Sequence, residues 1–554
     1  MHTGQFIFNV TPIVTGDSGA AAALREAIVS FWQAYLQLES TKYLNFFTTD
    51  AIRLSERASA YQATHAAIQA GMAAEWEAFE RPKNLISEKM TVEHAEFMVE
   101  GNFAIAIYWI DIVGGARWEY TDQGLVFQAW VKHNQQWQVA HHTDAWSLDY
   151  SVDSQQPGSG ATFDFDFAYP VKDLARAIQF YTPLLGTPEA VTPTRASFNL
   201  KGSRFILDSS AWGGAAQVRK ALPNGYALFT VNNMDEEVAR LTAAKVKIGK
   251  PQKSATDSYC TGWDTDENFF VLWQKVFNSA TDVSPQTSGF PTTPLGQAAQ
   301  KVMSAWLHLD AATLNTLCSG KATWFDDTRF KHRGQERGAK IVPALQSVYW
   351  PCYDNGPHGM AAYLEVTNFH TLAFGSQQIV SYEMRLTGQG AHPFRNSAWV
   401  TQVFNQAQQL LHTMIVDNNR SNAPVLELDY TGYPTEDLAA ARKFYSKQLR
   451  LGEGYDDEGY YGFWSNHAVF GLYEADPAED HLPQARQANG YISFWVRSAQ
   501  ETYAYLKQNG CTFPVIPAIN DKSEIDKQPG YTQVVTTDSE GSVILFTEYS
   551  GRPR

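Results

Sequence analysis

The chain has 554 residues and a formal net charge of −15 at pH 7. Nucleic acid and anionic membrane surfaces repel an acidic protein of this charge, so neither is an expected partner. The sequence has no apolar run long enough to span a bilayer, and it does not begin with the basic and then apolar layout of a secretion signal. Its four cysteines are far apart and form no CxxC pair, which indicates reduced thiols and a cytoplasmic location.

The sequence repeats itself once over a long interval. Ala-Tyr-Leu-Gln-Leu-Glu at 34–39 returns as Ala-Trp-Leu-His-Leu-Asp at 305–310, an offset of 271 (305 − 34). Gly-Tyr-Ala-Leu-Phe-Thr-Val at 225–231 returns as Gly-Tyr-Ile-Ser-Phe-Trp-Val at 490–496, an offset of 265 (490 − 225). Solenoid repeats are only a few tens of residues long, so this pattern predicts an internal duplication of a block of several domains.

Polar stretches rich in Pro, Gly, Ser and Asn divide the chain. They lie at 151–161, 278–294 and 417–424 and are typical of linkers. Four domains are therefore predicted, which we call A, B, A′ and B′ in chain order: 1–152, 160–277, 292–417 and 424–550.

Each A segment begins with an amphipathic helix and continues with long strands. In the first copy Leu24, Ile28 and Phe31 recur at four- and three-residue steps, and strands are predicted at 103–113 and 124–132. Helices followed by a run of antiparallel strands predict an α+β domain in which the helices pack on a curved sheet.

A short motif follows the first helix of each A segment. It is Phe-Phe-Thr-Thr-Asp-Ala at 46–51 in A and Lys-Ala-Thr-Trp-Phe-Asp-Asp at 321–327 in A′. Both resemble a motif of the nuclear-transport-factor-2-like superfamily, which includes ketosteroid isomerases and SnoaL-like polyketide cyclases. The resemblance implies two cone-shaped α+β barrels, each with a pocket between sheet and helices. Catalytic members of that superfamily use a carboxylate there to move a proton next to a carbonyl.

The resemblance assigns the general base to Asp326, with Trp324 of the same motif lining the pocket. In the first copy Glu56 stands beside the corresponding position. His412 and His141, which are also 271 residues apart, are the candidate acids or bases near the last strand of each copy. Adjacent acidic residues also suit a solvated turn, and a buried histidine is often structural, so both interpretations stay open.

The B segments have a different pattern. Asp173 and Asp437 stand at predicted helix N-caps, and Gly186 and Gly452 follow the helix ends. Together with Asp-Ser-Glu-Gly at 538–541, this pattern resembles the vicinal-oxygen-chelate superfamily, the fold of glyoxalase I, bleomycin-resistance proteins and extradiol dioxygenases. The resemblance implies two glyoxalase-like cups of paired βαβββ modules. Enzymes of that superfamily hold a divalent metal on the floor of the cup with His, Gln and Glu.

Other residue types occupy those ligand positions in this chain. The position of the closing glutamate falls on Val271 or Leu272 in B and on Leu545 in B′, and Tyr226 and Tyr491 stand where a histidine is expected. We therefore expect no metal and no cofactor. Tyr226 and Tyr491 are predicted to line a metal-free cup that stacks a flat ligand. A filled cup, or one that serves as an interface between modules, is the open alternative.

Two functions follow from these predictions. The first is a cofactor-independent isomerase, cyclase or lyase of specialised metabolism that acts on an aromatic or polyketide-like small molecule in an A pocket. The second is a binding or resistance protein that sequesters such a molecule in the B cups. Both superfamilies pair like modules, so the resemblance implies a homodimer or a monomer that contains its own pseudo-dimer.

Overall fold

A computed structural model gives the fold. It describes the following residues: 4–55, 61–80, 89–114, 120–146, 165–171, 173–200, 203–209, 226–231, 233–243, 245–254, 257–263, 269–275, 283–326, 335–350, 353, 355–390, 395–417, 425–435, 437–443, 445, 455–457, 460–465, 468–474, 491–496, 498–508, 511–513, 524–528, 531–537 and 543–549.

Four large β-sheets follow one another along the described part of the chain, and helices accompany each of them. We call them sheet 1 (residues 5–145), sheet 2 (165–275), sheet 3 (286–417) and sheet 4 (425–549). The protein is therefore a mixed helix-and-sheet molecule that is rich in strands.

Sheet 1 has the strand order β1-β4-β5-β6-β7-β3, with β2 also paired to β4. Its long central strands are antiparallel, whereas β3 runs parallel to β7. The bounds are β1 (Gln5–Ile7), β2 (Ile13–Gly16), α1 (Ser18–Leu36), α2 (Ser40–Leu44), β3 (Phe47–Ser55), α3 (His65–Glu80), β4 (Lys89–Glu100), β5 (Phe103–Gly114), β6 (Tyr120–His133) and β7 (Gln136–Ala145).

Sheet 2 has the order β13-β15-β16-β12-β8-β11-β10-β9, with β14 also paired to β15. The predicted N-cap is confirmed, because the Asp173 carboxylate accepts a hydrogen bond from the backbone N–H of Arg176. The bounds are β8 (Phe165–Pro170), α4 (Leu174–Leu185), β9 (Ala190–Val191), β10 (Arg195–Leu200), β11 (Ser203–Asp208), β12 (Tyr226–Thr230), α5 (Met234–Ala243), β13 (Lys247–Ile248), β14 (Gln252–Lys253), β15 (Asp257–Trp263) and β16 (Phe269–Lys275).

Sheet 3 has the order β17-β22-β23-β24-β25-β18-β19, and a small separate hairpin precedes its long strands. A 3-10 turn (Gly338–Lys340) and a π-helical turn (Leu345–Tyr349) flank its last helix. The bounds are β17 (Gln286–Ser288), α6 (Pro294–Leu307), α7 (Ala311–Leu317), β18 (Cys318–Asp326), β19 (Gln335–Arg337), α8 (Ile341–Ala344), β20 (Asn355–Gly356), β21 (Gly359–Met360), β22 (Ala362–Phe374), β23 (Gln377–Gly388), β24 (Arg395–Asn405) and β25 (Leu410–Asp417).

Sheet 4 has the order β27-β28-β29-β26-β30-β33-β32-β31. The second predicted N-cap is also confirmed, since the Asp437 carboxylate accepts from the backbone N–H of Ala440; the predicted helix stop at Gly452 lies outside the described residues. The bounds are β26 (Val425–Thr435), α9 (Leu438–Lys443), β27 (Tyr455–Asp457), β28 (Tyr460–Ser465), β29 (Ala468–Glu474), β30 (Tyr491–Val496), α10 (Ala499–Gln508), β31 (Ile525–Gln528), β32 (Tyr531–Thr537) and β33 (Val543–Tyr549).

Sheets 1 and 3 end their first helix in the same way. Leu38 after α1 and Leu309 after α6 both have a positive φ, of 55° and 58°. The backbone N–H groups of these leucines bond to the carbonyl oxygens of Tyr35 and Trp306, three residues earlier. The repeated hexapeptides of the sequence therefore form the same helix end twice.

A glycine also recurs at the edge of both sheets. Gly16 and Gly289 have φ values of 95° and 83°, a region that L side chains rarely adopt. A Cβ at either position would lie 2.0 Å from the carbonyl oxygen of Val99 or Val366, respectively. Both edge strands thus approach the neighbouring long strand too closely for any other residue.

Sheets 1 and 3 pack against each other through the faces that do not carry α1 and α6. Their shared core includes Ile105, Trp109, Phe325 and Met414. The rings of Phe103 and Phe374 stack across it with centroids 4.5 Å apart. Arg337 of sheet 3 pairs with Glu96 of sheet 1 at the rim of this interface.

Sheets 2 and 4 share a second core, which also includes residues of α4 and α5. Phe205 lies 5.3 Å from Phe494, and Phe229 lies 5.4 Å from Phe470, measured between ring centroids. None of the described helices is both long and apolar enough to cross a membrane.

His141 and His412 are fully buried between sheets 1 and 3. Burial lowers the pKa of each histidine to about 3, and for His141 the neighbouring His142 and His370 add to the effect. For His412 the Glu96 carboxylate opposes the shift and Arg337 adds to it. Both imidazoles are therefore neutral at physiological pH.

We expect acid to destabilise this interface. An unfolded histidine binds a proton below about pH 6.5, whereas these two stay neutral in the folded protein down to about pH 3. The free energy of unfolding therefore falls as pH decreases between those limits, by about 2 kcal/mol per histidine at pH 5. Urea unfolding of H141Q/H412Q measured from pH 7 to pH 5 should show a flatter pH dependence than the wild type.

The matched control is H133Q, which removes an exposed histidine at the end of β6. That variant should keep the pH dependence of the wild type. Equal slopes for the wild type and the double variant would contradict the burial of neutral histidines.

Candidate functional site

Strand β7 presents its side chains alternately to the two faces of sheet 1. His141 and Thr143 face sheet 3, where each contacts the Thr401 hydroxyl, at 3.1 and 2.8 Å. His142 and Trp146 face the helices, and their rings lie 5.8 Å from Phe31 and 6.0 Å from Trp32, respectively. The helix-covered face of β7 thus carries His142, Asp144 and Trp146.

Asp144 is the acceptor at one end of a buried hydrogen-bond chain on this face. Its Oδ2 lies 2.6 Å from His142 Nε2. Its Oδ1 accepts from Ser55 Oγ at 2.7 Å and from Trp146 Nε1 at 2.6 Å. The strand register explains the arrangement, because Ser55 of β3 is the direct partner of Asp144 on β7.

The hydrogen-bond network extends from the other ring nitrogen of His142. Gln128 Nε2 lies 3.1 Å from His142 Nδ1, and Gln128 Oε1 accepts from Tyr108 Oη at 2.7 Å and from Trp130 Nε1 at 3.1 Å. Tyr108 Oη in turn accepts from Trp32 Nε1 at 2.7 Å. An indole nitrogen only donates, so Trp130 fixes the orientation of the Gln128 amide and places its NH₂ group against the imidazole.

These contacts determine the tautomer of His142. An ionised carboxylate only accepts hydrogen bonds, so Nε2 carries the proton and donates to Asp144. Nδ1 then has a lone pair and accepts from Gln128 Nε2. A carboxylate that holds one imidazole nitrogen in this way leaves the other able to act as a general base and stabilises the imidazolium that forms.

Asp144 stays ionised although it is buried. Burial raises the pKa of its carboxyl, but the hydrogen bond from His142, the positive charge of Arg53 and the Ser55 hydroxyl outweigh burial and lower that pKa to about 2. Burial also raises the pKa of the Tyr108 phenol well above its usual value, so that side chain is a neutral donor.

Arg53 is the buried cation of this face. Its side chain is 2% exposed, and its Nη1 donates to Gln62 Oε1 at 3.2 Å. The backbone N–H of Arg53 also bonds to the carbonyl of Gln62 at 2.8 Å. Gly71 of α3 gives Gln62 its room, since a Cβ there would lie 1.8 Å from Gln62 Nε2. Gln62, which packs against Gly71 of α3, therefore holds the side chain of Arg53 on β3 in position.

The corresponding face of sheet 3 keeps only part of this chain. Gln402 and Thr413 are register partners, as Gln128 and His142 are in sheet 1. Tyr382 Oη donates to Gln402 Oε1 at 3.2 Å. Thr413 stands in place of the histidine, and Ile415, the register partner of Asp326, stands in place of Asp144. The carboxylate of this strand pair is therefore on β18 instead of β25, and a second buried carboxylate of the same face, that of Glu336, is on β19.

The structure separates the residues that the sequence analysis paired in A′. Trp324 lies in the core beneath α6, and the alternation of β18 puts the buried Asp326 on the same face. His412 lies on the opposite face, where its ring stacks on Phe127 at 5.1 Å and its Nδ1 contacts Thr323 Oγ1 at 2.6 Å. In sheet 1 His141 faces sheet 3, and Glu56 lies outside the described residues.

The two tyrosines predicted to line the B cups are the first residues of corresponding strands. Tyr226 pairs with Ala168 in sheet 2, and Tyr491 pairs with Gly432 in sheet 4. The face of sheet 2 opposite to α4 has a floor of buried apolar side chains: Ala168, Ile206, Leu228, Val271 and Trp273. Within the described part of the chain, no three His, Cys, Asp or Glu residues are grouped so that they could hold a metal ion.

The sequence analysis did not single out His142, Asp144, Gln128 or Tyr108. A usable signal was present in the strand at 136–146, because His142, Asp144 and Trp146 share one face at two-residue spacing. The partners on β3, β5 and β6 gave no such signal, since their proximity depends on strand register.

The sequence matches no known family model and no curated protein. Solved structures with NTF2-like and cystatin-like folds are among those that match about a quarter of the chain. An NTF2-like protein of unknown function from Pseudomonas putida KT2440 is 16% identical over 26% of this chain and 95% of its own, with a TM-score of 0.21. A protein of unknown function with a cystatin-like fold from Nostoc punctiforme is 12% identical over 24% and 93%, with a TM-score of 0.21. An uncharacterised protein with a cystatin-like fold from Caulobacter vibrioides is 10% identical over 23% and 89%, with a TM-score of 0.20.

Proposed function

We propose that this chain is a metal- and cofactor-independent enzyme that moves a proton next to a carbonyl group, with His142 as the general base. The observation that carries the proposal is the 2.6 Å contact between His142 Nε2 and Asp144 Oδ2 on the buried, helix-covered face of sheet 1. This pair supplies an oriented imidazole and a carboxylate that stabilises its protonated form.

In the proposed reaction His142 Nδ1 takes a proton from the carbon beside a carbonyl. Gln128 holds that nitrogen at 3.1 Å in the absence of a substrate, so its amide must turn toward the substrate as the substrate binds. The amide NH₂ and the Tyr108 hydroxyl are then the donors that stabilise the enolate oxygen. The imidazolium returns the proton at another atom, which is the chemistry of an isomerase, cyclase or lyase.

The walls of this face support an aromatic or polyketide-like substrate. Phe31, Trp32, Trp130 and Trp146 surround the His142 network, and Phe31 and Trp130 meet edge to face with centroids 5.9 Å apart. Aromatic walls favour flat apolar ligands. We also propose that sheets 1 and 3 are the two halves of an internal pseudo-dimer that arose by duplication, and that Asp326 is a second candidate carboxylate.

The alternative proposal, sequestration of a flat molecule in the B cups, has one observation against it. The ring of Trp273, on the cup face of sheet 2, already makes cation–π contacts with two arginines of the same sheet. Their guanidinium carbons lie 4.9 Å (Arg195) and 5.4 Å (Arg204) from the ring centroid. A ligand would have to displace these cation–π contacts before it could stack.

The proposed base can be tested by deuterium exchange. Acetophenone and 1-tetralone in D₂O exchange the hydrogens beside their carbonyl groups slowly, and the exchange is visible by proton NMR. The wild-type protein should accelerate the exchange, and H142Q should reduce the acceleration by a factor of roughly 100 to 10,000, the usual contribution of a positioned acid or base. No acceleration by the wild type, or an equal rate for H142Q, would contradict the proposal.

Two variants locate the activity. D144N should lose most of the acceleration, because the amide no longer fixes the tautomer of His142 or stabilises the imidazolium. D326N removes the buried Asp326 carboxylate of sheet 3 and should keep the wild-type rate if His142 is the base. Loss of activity in D326N alone would move the assignment to the sequence-predicted carboxylate.

The donors to Asp144 should set the pH dependence of the exchange. In S55A/W146F the carboxylate loses two of its hydrogen bonds, so its pKa rises and its charge acts more strongly on His142. The acid limb of the rate should then move to higher pH by a few tenths of a unit to about one unit. An unchanged limb in rate measurements from pH 4 to 8 would show that Asp144 does not act through His142.

A further inference from the structure

Three tryptophans beneath the helices of sheet 3 present buried donors. Trp306, Trp324 and Trp350 belong to the core of this face, and their Nε1–H groups meet no acceptor among the residues that the structure describes. The hydroxyl of Thr413 on the same face is also buried and meets no hydrogen-bond partner among these residues. Each such group costs about 1–3 kcal/mol when it is buried without a partner.

Strand register brings two of these donors together. Trp324 of β18 and Thr413 of β25 are direct partners on adjacent parallel strands, so their side chains are neighbours on one face. Gln402 of β24 is the next partner in the row, and its Nε2 contacts Met303 Sδ of α6 at 3.6 Å. The row Gln402, Thr413 and Trp324 therefore lies directly under α6.

A buried acceptor lies beside the same donors. Asp326 is two residues beyond Trp324 on β18, which places it on the same face about 6.6 Å along the strand. Its side chain is fully buried. Glu336 of β19, the register partner of Trp324, is a second buried carboxylate of this face. A ligand in contact with this row would therefore meet the two donors and the carboxylates of Asp326 and Glu336.

In the core of sheet 1 some indole donors have acceptors, whereas Nε1 of Trp76 and of Trp137 meets none among the described residues. On its helix-covered face three tryptophans have protein acceptors for their Nε1–H groups: Trp32 with Tyr108, Trp130 with Gln128, and Trp146 with Asp144. The corresponding face of sheet 3 has donors of the same kind, and Ile415 stands where the accepting Asp144 would be.

We propose that the helix-covered face of sheet 3 is a second ligand site, which binds a neutral flat hydroxy-carbonyl compound. The carbonyl oxygen accepts from Trp324 Nε1 and Thr413 Oγ1, and the hydroxyl donates to the Asp326 carboxylate. An anion would be repelled by Asp326, and a simple cation would leave the indole donors unpaired. Thr413 stands where sheet 1 has its histidine, so the site binds without an oriented base and does not depend on catalysis by His142.

The site can be tested in the full chain with ¹⁵N-labelled tryptophan side chains. The probe is 4-hydroxyacetophenone, which has an acceptor and a donor at opposite ends of one ring. The probe should shift the indole resonance of Trp324, which is assigned by its absence from the spectrum of W324F. The dissociation constant should rise about fivefold to tenfold in W324F and in T413V, because each variant loses one hydrogen bond and keeps its shape. Acetophenone, which lacks the hydroxyl, should bind more weakly than the probe.

The matched control is W76F. Trp76 is a buried tryptophan of the sheet 1 core whose Nε1 also meets no acceptor among the described residues. W76F should bind the probe to the sheet 3 site as the wild type does, and equal thermal midpoints would show that W324F and T413V are folded. Three results would overturn the proposal: a Trp324 resonance that does not move at millimolar probe, an affinity for the probe in W324F and T413V equal to that of the wild type, or a contact of this indole with water alone.

Discussion

The carboxylate of Asp144 is the constraint on which the helix-covered face of sheet 1 depends. A buried ion costs several kcal/mol unless hydrogen bonds and opposite charge compensate it. His142, Ser55 and Trp146 supply three hydrogen bonds, and Arg53 supplies the charge. Because the carboxylate accepts from Nε2, the tautomer of His142 is fixed, and every donor and acceptor farther along the chain is oriented in turn. A neutral residue at position 144 would no longer fix the tautomer of His142, and the donors and acceptors beyond it would lose their fixed orientation.

Side chains on β7 point alternately to the two faces of sheet 1, so the neighbouring residues His141 and His142 have different surroundings. His141 faces sheet 3 and is neutral; it contacts Thr143 on its own strand, and its hydrogen bond with Thr401 joins the two sheets. His142, one position later, faces the helices and belongs to the Asp144 chain. A shift of register by one residue would exchange these faces and would bury the ionised carboxylate in the apolar interface. The packing of sheets 1 and 3 and the candidate chemistry are therefore set by the same strand.

Much of the local structure could be predicted from the sequence. Periodicity gave the first helix and the long strands, and Asp173 and Asp437 are the N-caps that were expected. The candidate site was harder to predict, because the comparison of segments A and A′ favoured residues that recur at the same offset, such as His141 and His412. Those two histidines lie buried in the interface between sheets 1 and 3.

The helix-covered faces of sheets 1 and 3 differ at corresponding register positions. Thr413 and Ile415 in sheet 3 replace His142 and Asp144 in sheet 1, and the partner strand carries Asp326 where sheet 1 has Ser55. This difference in the placement of the carboxylate could not be predicted from residue type or spacing. Ser55 and Asp144 are 89 positions apart and meet only through the pairing of β3 with β7. Strand register, and not local sequence, brings the site together.

The position of the carboxylate explains why the two faces differ in chemistry. Asp144 and His142 are two residues apart on one strand, so the carboxylate reaches the imidazole directly. Asp326 is on the neighbouring strand and is paired with Ile415, which makes Thr413 only a diagonal neighbour. A carboxylate at both partner positions would place two like charges side by side in a buried face, at a large electrostatic cost. Each of the strand pairs β3–β7 and β18–β25 therefore holds one of these two carboxylates, and the strand that carries it decides whether it contacts an imidazole or lies beside the indole of Trp324. Sheet 3 has a further buried carboxylate on this face, that of Glu336 on β19, which is the register partner of Trp324.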